Sequence, residues 1–139
     1  GIGDGRGFAA AMMLGAKGVQ MGTRFLVAKE CVIHENYKQQ VLKAKDIDSA
    51  VTGRTTGHTV RTLRNRMTRT YQQMEKNGSS FEELETLTIG SLRKAVVEGD
   101  VVNGSMMAGQ IAGMVTKEQT CQEMIQEIMQ EADALLGNR

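Results

Sequence analysis

The chain has no proline and no tryptophan, only two tyrosines and three phenylalanines, and just two cysteines in 139 residues. Cys31 and Cys121 stand far apart, with no CxxC or Cys/His spacing, which argues against a zinc site or a disulfide scaffold. No metal is expected, and a reducing, cytoplasmic home is the default. Aromatics at 4% offer no stacking platform for nucleic acid, and no nucleic-acid module is recognisable. No apolar run approaches the ~20 residues that cross a bilayer, so no membrane partner is expected. A basic segment followed by an apolar one is missing at the start, so no secretory signal is visible. There is no internal repeat and no low-complexity stretch.

What is present is an ordinary globular mixture, 40% hydrophobic and 24% charged, in a length that suits one domain. The net charge of +1 is unevenly spread: Arg54 to Lys76 holds six bases and one acid, whereas Lys117 to Asp133 holds one base and five acids. Such asymmetry bears on partners.

The first two dozen residues organise the rest. Four of the first seven are glycine, which lets a backbone take positive φ and approach a ligand closely. Asp4 can cap a helix over residues 4–14, ended by Gly15. Free N–H groups at such a helix start hold anions, so a phosphate is a natural guest; plain tight turns are the competing reading. Val19 to Thr23 then reads as a buried strand, whose end would bring the N–H groups of Gly22 and Thr23 beside the same point. Two adjacent βα loops sharing one phosphate occur after the last two strands of many (β/α)₈ barrels. A glycine loop of this kind needs a strand before it, and none precedes Gly1, so the chain reads as one cut inside a domain that should not fold well alone.

Further on, residues 34–44 have helical composition, and residues 46–51 offer a short strand before the turn-rich 52–58. Val60, Leu63, Met67, Tyr71 and Met74 predict one helix over 59–76. Ser80 and Glu83 form a capping box for a helix over 81–87, residues 88–98 look helical again, and Gly104 leads into a helix over 106–112. Thr116 with Gln119 reads as the capping box of a last helix, whose apolar face carries Cys121, Met124, Ile125, Ile128, Met129, Ala132, Leu135 and Leu136.

The run GIGDGRGFAAAMMLGAKGVQMGTRF, with GSLRKAVVEGD and NGSMMAGQIAGMV downstream, resembles the C-terminal half of the flavin-dependent enoyl-acyl-carrier-protein reductase II family and its close relatives, the nitronate monooxygenases (2-nitropropane dioxygenase-like proteins). The likeness extends over essentially the whole chain. It implies an α/β fold: the C-terminal part of a TIM (β/α)₈ barrel over residues 1–45, a mainly helical appendage over 46–103, and C-terminal helices over 104–139 that pack back on the barrel. It implies FMN, held at its phosphate by Gly1, Gly3, Asp4, Gly22 and Thr23, with Gln20 and Met21 lining the approach. Asp4 reads as a helix cap more than as a ligand, since a carboxylate repels phosphate unless Arg6 intervenes.

The function implied is NADH- or NADPH-dependent reduction of the 2,3-double bond of an enoyl chain on acyl-carrier protein, in bacterial fatty-acid synthesis. The alternative is oxidation of nitronates with oxygen, and a non-enzymatic helical interaction module is the remaining class. The segment TGRTTGH together with GSLRKAVVEGD tilts the reading toward the reductase. The family's catalytic histidine belongs to a segment upstream of Gly1, so the chain is expected to be inactive unless the missing half is supplied. His34 reads as a solvated loop residue, and His58 as part of a turn or as a group near substrate. In GSMMAGQIAG, Met107 and Gln110 either pack a helix or face the cavity where flavin and acyl chain meet. Arg54, Arg61, Arg64, Arg66 and Arg69 form a solvated basic face or a docking patch for the acidic acyl-carrier protein. A homodimer stays open.

Overall fold

A computed structural model describes residues 1–137. Asp4 caps α1 (Gly5–Met13), its Oδ1 accepting from the Gly7 N–H at 2.9 Å, and the helix ends at Leu14 before Gly15. None of Gly1, Gly3, Gly5 and Gly7 takes positive φ, however. Their value lies in close packing: a Cβ on Gly5 would stand 2.5 Å from the Ile128 carbonyl oxygen and 2.8 Å from Ala132 N, both on the backbone of the last helix, α6 (Cys121–Leu136). The bare face of α1 is what lets the first and last helices touch.

The strand expected at 19–23 does not form. The segment has no strand partner among the described residues, and Thr23–Val27 closes into a short 3₁₀ helix. After it, α2 (Glu35–Lys43) is capped by His34, whose Nδ1 accepts from the Asn36 N–H at 3.1 Å. His34 is thus not a freely solvated loop residue. Its ring lies against Gly99, a left-handed glycine (φ 69°) where any side chain would collide with the imidazole.

The only sheet among the described residues is the antiparallel hairpin β1 (Ser49–Thr52) and β2 (Val60–Leu63), in register Ser49↔Leu63 to Thr52↔Val60. The single helix expected over 59–76 is therefore two elements. Val60 and Leu63 belong to a β-branched, period-two stretch; α3 (Arg66–Lys76) starts only after Asn65, whose Oδ1 accepts from Thr68 N–H at 2.9 Å. The arginines consequently split between a strand (Arg61), a connection (Arg64) and a helix (Arg66, Arg69), so they do not form one helical face.

The Ser80/Glu83 capping box is present and starts α4 (Phe81–Thr88). The helical stretch expected over 88–98 is shorter. Gly90 in the left-handed region (φ 72°) separates α4 from α5 (Ser91–Val96). The helix expected over 106–112 is replaced by a bridge between Met107 and Thr62 and a 3₁₀ helix, Gln110–Met114: residues 106–108 extend the hairpin edge, with Leu63 N–H donating to the Met106 carbonyl at 2.9 Å. The box that opens α6 is Thr120 with Glu123, not Thr116 with Gln119; Gln119 instead accepts from Arg24. On α6, Met124, Ile128 and Ala132 are buried, while Ile125, Met129 and Leu135 stay exposed.

The main core gathers residues from the middle of the chain: Val27, Tyr37, Val41, Leu63, Ala95, Met106, Ala108, Ala112 and Val115. A second cluster of Ala28, Met124 and Ile128 ties α6 to the segment after the first 3₁₀ helix, with Met21, Phe25, Cys31 and Cys121 around it. Two buried cations brace that junction. Arg24 hydrogen-bonds the Lys117 carbonyl and Gln119, and Lys38 Nζ donates to the Ala28 carbonyl at 2.8 Å beside Glu118 at 3.4 Å. Among the described residues no helix is long and apolar enough to cross a membrane.

Candidate functional site

The start of α1 is already occupied by the protein's own carboxylates. Gly5 N–H donates to Glu131 Oε2 at 2.7 Å and Gly7 N–H to Asp4, while Arg6 pairs with Asp4 at 2.8 Å. Burial works to raise the Asp4 pKa, but the Gly7 amide and the Arg6 guanidinium outweigh it and hold the carboxyl below its ordinary 3.8. Gly1 and Gly3 lie under the Ile111 side chain, so close that a Cβ on Gly3 would stand 2.8 Å from it.

The second loop faces the other end of the same short segment. Thr23 Oγ1 accepts from the Gly109 N–H at 2.9 Å, which leaves the hydroxyl hydrogen available to donate. No hydrogen bond among the described residues takes the N–H of Gly22 or Thr23, and nothing stands within 4 Å of where a Gly22 Cβ would be. Residues 109–111 therefore have the Gly1/Gly3 backbone at one end and Gly22/Thr23 at the other. Gly22 and Thr23 open onto a groove of about 370 Å³, walled by Leu26, Arg61, Met107, Ala108 and Gly109. Gln20 is exposed outside it, and Met21 turns inward onto the α6 cluster.

Behind the groove, the hairpin with α3, α4 and α5 encloses a cavity of about 390 Å³. Its floor is Met67, Tyr71 and Leu84, all buried, with the Ser91–Ser105 hydroxyl pair at 2.8 Å. Its rim carries His58 and Phe81, ring centroids 5.8 Å apart, and its one charged wall residue is Glu85. His58 is exposed and its N–H reaches Thr56 Oγ1 at 3.4 Å.

Strand β2 is the partition between the two spaces. Alternation sends Val60 and Thr62 to the cavity and Arg61 to the groove. Arg61 is steadied there by Nη1 donating to Ser49 Oγ at 2.9 Å. Met107, bridged to Thr62, belongs to both walls, and its carbonyl accepts from the Tyr37 hydroxyl at 2.6 Å. Burial pushes the Tyr37 phenol well above its ordinary pKa, so it remains a donor. Gln110 is exposed at the start of the second 3₁₀ helix and lies in neither wall. Sequence reasoning overlooked Arg61 and Tyr37 as parts of this site; the Thr59–Leu63 alternation was the available signal for the first. Among the described residues no His/Cys/Asp/Glu group is arranged to hold a metal ion.

The family model for nitronate monooxygenase matches residues 1–131. A protein described as "Probable nitronate monooxygenase" from Bacillus subtilis (strain 168) is 31% identical over 128 residues, 92% of this chain and 37% of that protein. One of the same description from Staphylococcus haemolyticus is 32% identical over 136 residues, 98% of this chain and 38% of that protein. Among solved structures, FabK from Thermotoga maritima superposes with a TM-score of 0.90 at 43% identity, over 98% of this chain and 43% of that one. A nitroalkane oxidase from Streptomyces ansochromogenes shares the fold with a TM-score of 0.78 at 23% identity. The chain thus spans less than half the length of the relatives it matches.

Proposed function

The chain belongs to the nitronate monooxygenase family, with the fold of part of a TIM-barrel enzyme, and from that premise we propose that it is a portion of an FMN-dependent oxidoreductase. Its reaction in this reading is reduction of the 2,3-double bond of an enoyl-acyl-carrier-protein, with NADH or NADPH as reductant, in fatty-acid synthesis. The single observation that carries the cofactor half is the Gly22/Thr23 loop. It has two uncommitted amides, a hydroxyl free to donate and open space over Gly22, at the mouth of a groove that also holds Arg61. These residues fit a phosphate; the Gly1 and Gly3 backbone lies at the other end of residues 109–111, beneath Ile111.

FMN, when bound, supplies the electron transfer. This chain's residues would bind and orient it: Gly22 and Thr23 would donate to the phosphate, Arg61 would add positive charge, and Met107 stands between the groove and the cavity. That cavity, floored by Met67, Tyr71 and Leu84 beside the paired Ser91 and Ser105 hydroxyls and without a cation in its wall, suits the uncharged part of an acyl chain. The proton-handling histidine of the reaction, on the likeness stated above, lies outside these residues. The greater identity to FabK, 43% against 31–32% for the curated relatives, supports the reductase reading. The second reading, nitronate oxidation with oxygen, is supported by the family model and the relatives' descriptions.

The experiment is run on the complete protein. Purified material should carry flavin absorbance with FMN in stoichiometric amount, and should oxidise NADH or NADPH anaerobically on addition of a crotonyl thioester. Nitronate-dependent oxygen uptake without thioester reduction would assign the second reading instead, and colourless protein that takes up no FMN would end both.

A further inference from the structure

We propose that Cys31 and Cys121 form a modification site, an intramolecular disulfide made by hydrogen peroxide at the start of α6. The inference does not depend on the flavin reading. The fold brings together two thiols that the sequence separates by most of its length. Ala28 and Gln119 pair as a parallel bridge, Lys29 N–H donates to the Gln119 carbonyl at 2.9 Å, and Cys31 N–H turns back to the Ala28 carbonyl at 3.0 Å. From the other side Cys121 gives its N–H to the Glu30 carboxylate, 2.9 Å from each oxygen. Both cysteines are free, half-buried, and packed on the one cluster of Ala28, Met124 and Ile128.

Neighbouring paired backbones lie about 4.7–4.9 Å apart, and a disulfide spans Cα separations of about 4.4–6.8 Å. The cysteines follow the bridged residues by three positions on one side and two on the other, and their packing on one cluster brings the two thiols to the same place. Burial first, then the Glu30 carboxylate and Cys31, hold the Cys121 thiol above its ordinary pKa. The Glu30 carboxylate, held by the N–H of the same residue, is the proton acceptor at hand.

The chemistry balances as follows. The Cys31 thiolate attacks one peroxide oxygen; the S–O bond forms as the O–O bond breaks, and the departing hydroxide takes up a proton as water. Cys121 passes its proton to Glu30 and attacks the Cys31 sulfenic sulfur; the S–S bond forms, the S–O bond breaks, and a second water leaves. Two thiols lose two electrons and two protons, and hydrogen peroxide is reduced to two waters.

The test uses the full-length protein, reduced and then exposed to hydrogen peroxide, and read by intact mass and peptide mapping. The expected result is a loss of two hydrogens, one cross-linked peptide pair containing Cys31 and Cys121, and a rise in Tm of several degrees over the reduced form. With Cys121→Ser, Cys31 should stop at a sulfenic acid that dimedone traps. With Cys31→Ser, Cys121 should remain a free thiol under the same exposure. Glu30→Gln should slow cross-linking at least about tenfold, as loss of a general base does, without abolishing it. Both thiols still free in folded protein after peroxide has oxidised glutathione in the same tube, or cross-links only between molecules, would overturn the proposal.

Discussion

Gly5 and Gly22 lack the same Cβ for different reasons, and substitution separates them. A methyl on Gly5 would be driven into the α6 backbone at Ile128 and Ala132, so Gly5→Ala should cost about 2–3 kcal/mol, in the range of overpacking, seen as a lower urea midpoint. Gly22 has open space and φ −105°, a value any residue adopts. Gly22→Ala should therefore leave stability within about 0.5 kcal/mol while weakening FMN retention in the complete protein. Equal loss of stability in both variants would contradict this division. The carboxylates near these loops set a pH dependence. Asp4 lies below its ordinary 3.8, the Gly7 amide and Arg6 outweighing burial; Glu127 lies below 4.5 through its hydrogen bonds from Lys117 and Gln119. Folded values below unfolded ones give stabilisation that is complete above the unfolded pKa and lost as pH falls through the folded one. The urea midpoint should accordingly hold from neutrality to about pH 5 and decline only below the unfolded carboxylate range, less steeply in Asp4→Asn, which keeps the cap.

At the scale of elements, the junction of β2 and α3 depends on Asn65. Its Oδ1 accepts from the Thr68 N–H and hydroxyl, both at 2.9 Å, and its Nδ2 donates to the carbonyls of Val101 at 2.9 Å and Gly104 at 2.7 Å. Asn65→Ala removes a cap and strands two carbonyls, an expected cost of about 2–4 kcal/mol, and Asn65→Asp should be no milder, because it exchanges donors for a charge facing carbonyl oxygens. Denaturant unfolding of both variants checks the order. This junction also shows what local reading can and cannot reach. The capping box at Ser80, the Asp4 cap and the apolar stripe of α6 rest on neighbours within one or two turns, and they were legible. Val60 and Leu63 happen to stand at helical spacing from Met67, so a period of three and four masked a period of two; only the later Asn cap marks the change. The expected strand at 19–23 failed for another reason, since a strand is a property of a pair and its partner is not in this stretch. Likewise Met106 and Met107 look helical alone, and become a sheet edge because β2 is beside them.

For the molecule as a whole, the candidate site depends on meetings that no periodicity announces: Thr23 with Gly109, Tyr37 with Met107, Arg61 with the Gly22 loop. The glycine loops come to lie at the two ends of residues 109–111, while Met107 lines both the groove and the cavity and Gln110 is exposed in neither wall. That difference makes a test of the whole arrangement. Met107 stands between the groove and the cavity and is 37% exposed, so its side chain contributes little to the core while its backbone carbonyl keeps the Tyr37 bond in any variant. If substrate passes from one space to the other along that wall, Met107→Ala in the complete protein should lower kcat/KM for the thioester about tenfold, mainly through KM, with Tm and FMN content nearly unchanged. Gln110→Ala should do none of this. A Met107→Ala enzyme with an unaltered KM, or one that sheds FMN as readily as the Gly22 variant, would mean that the cavity and the groove at Gly22 serve separate ends.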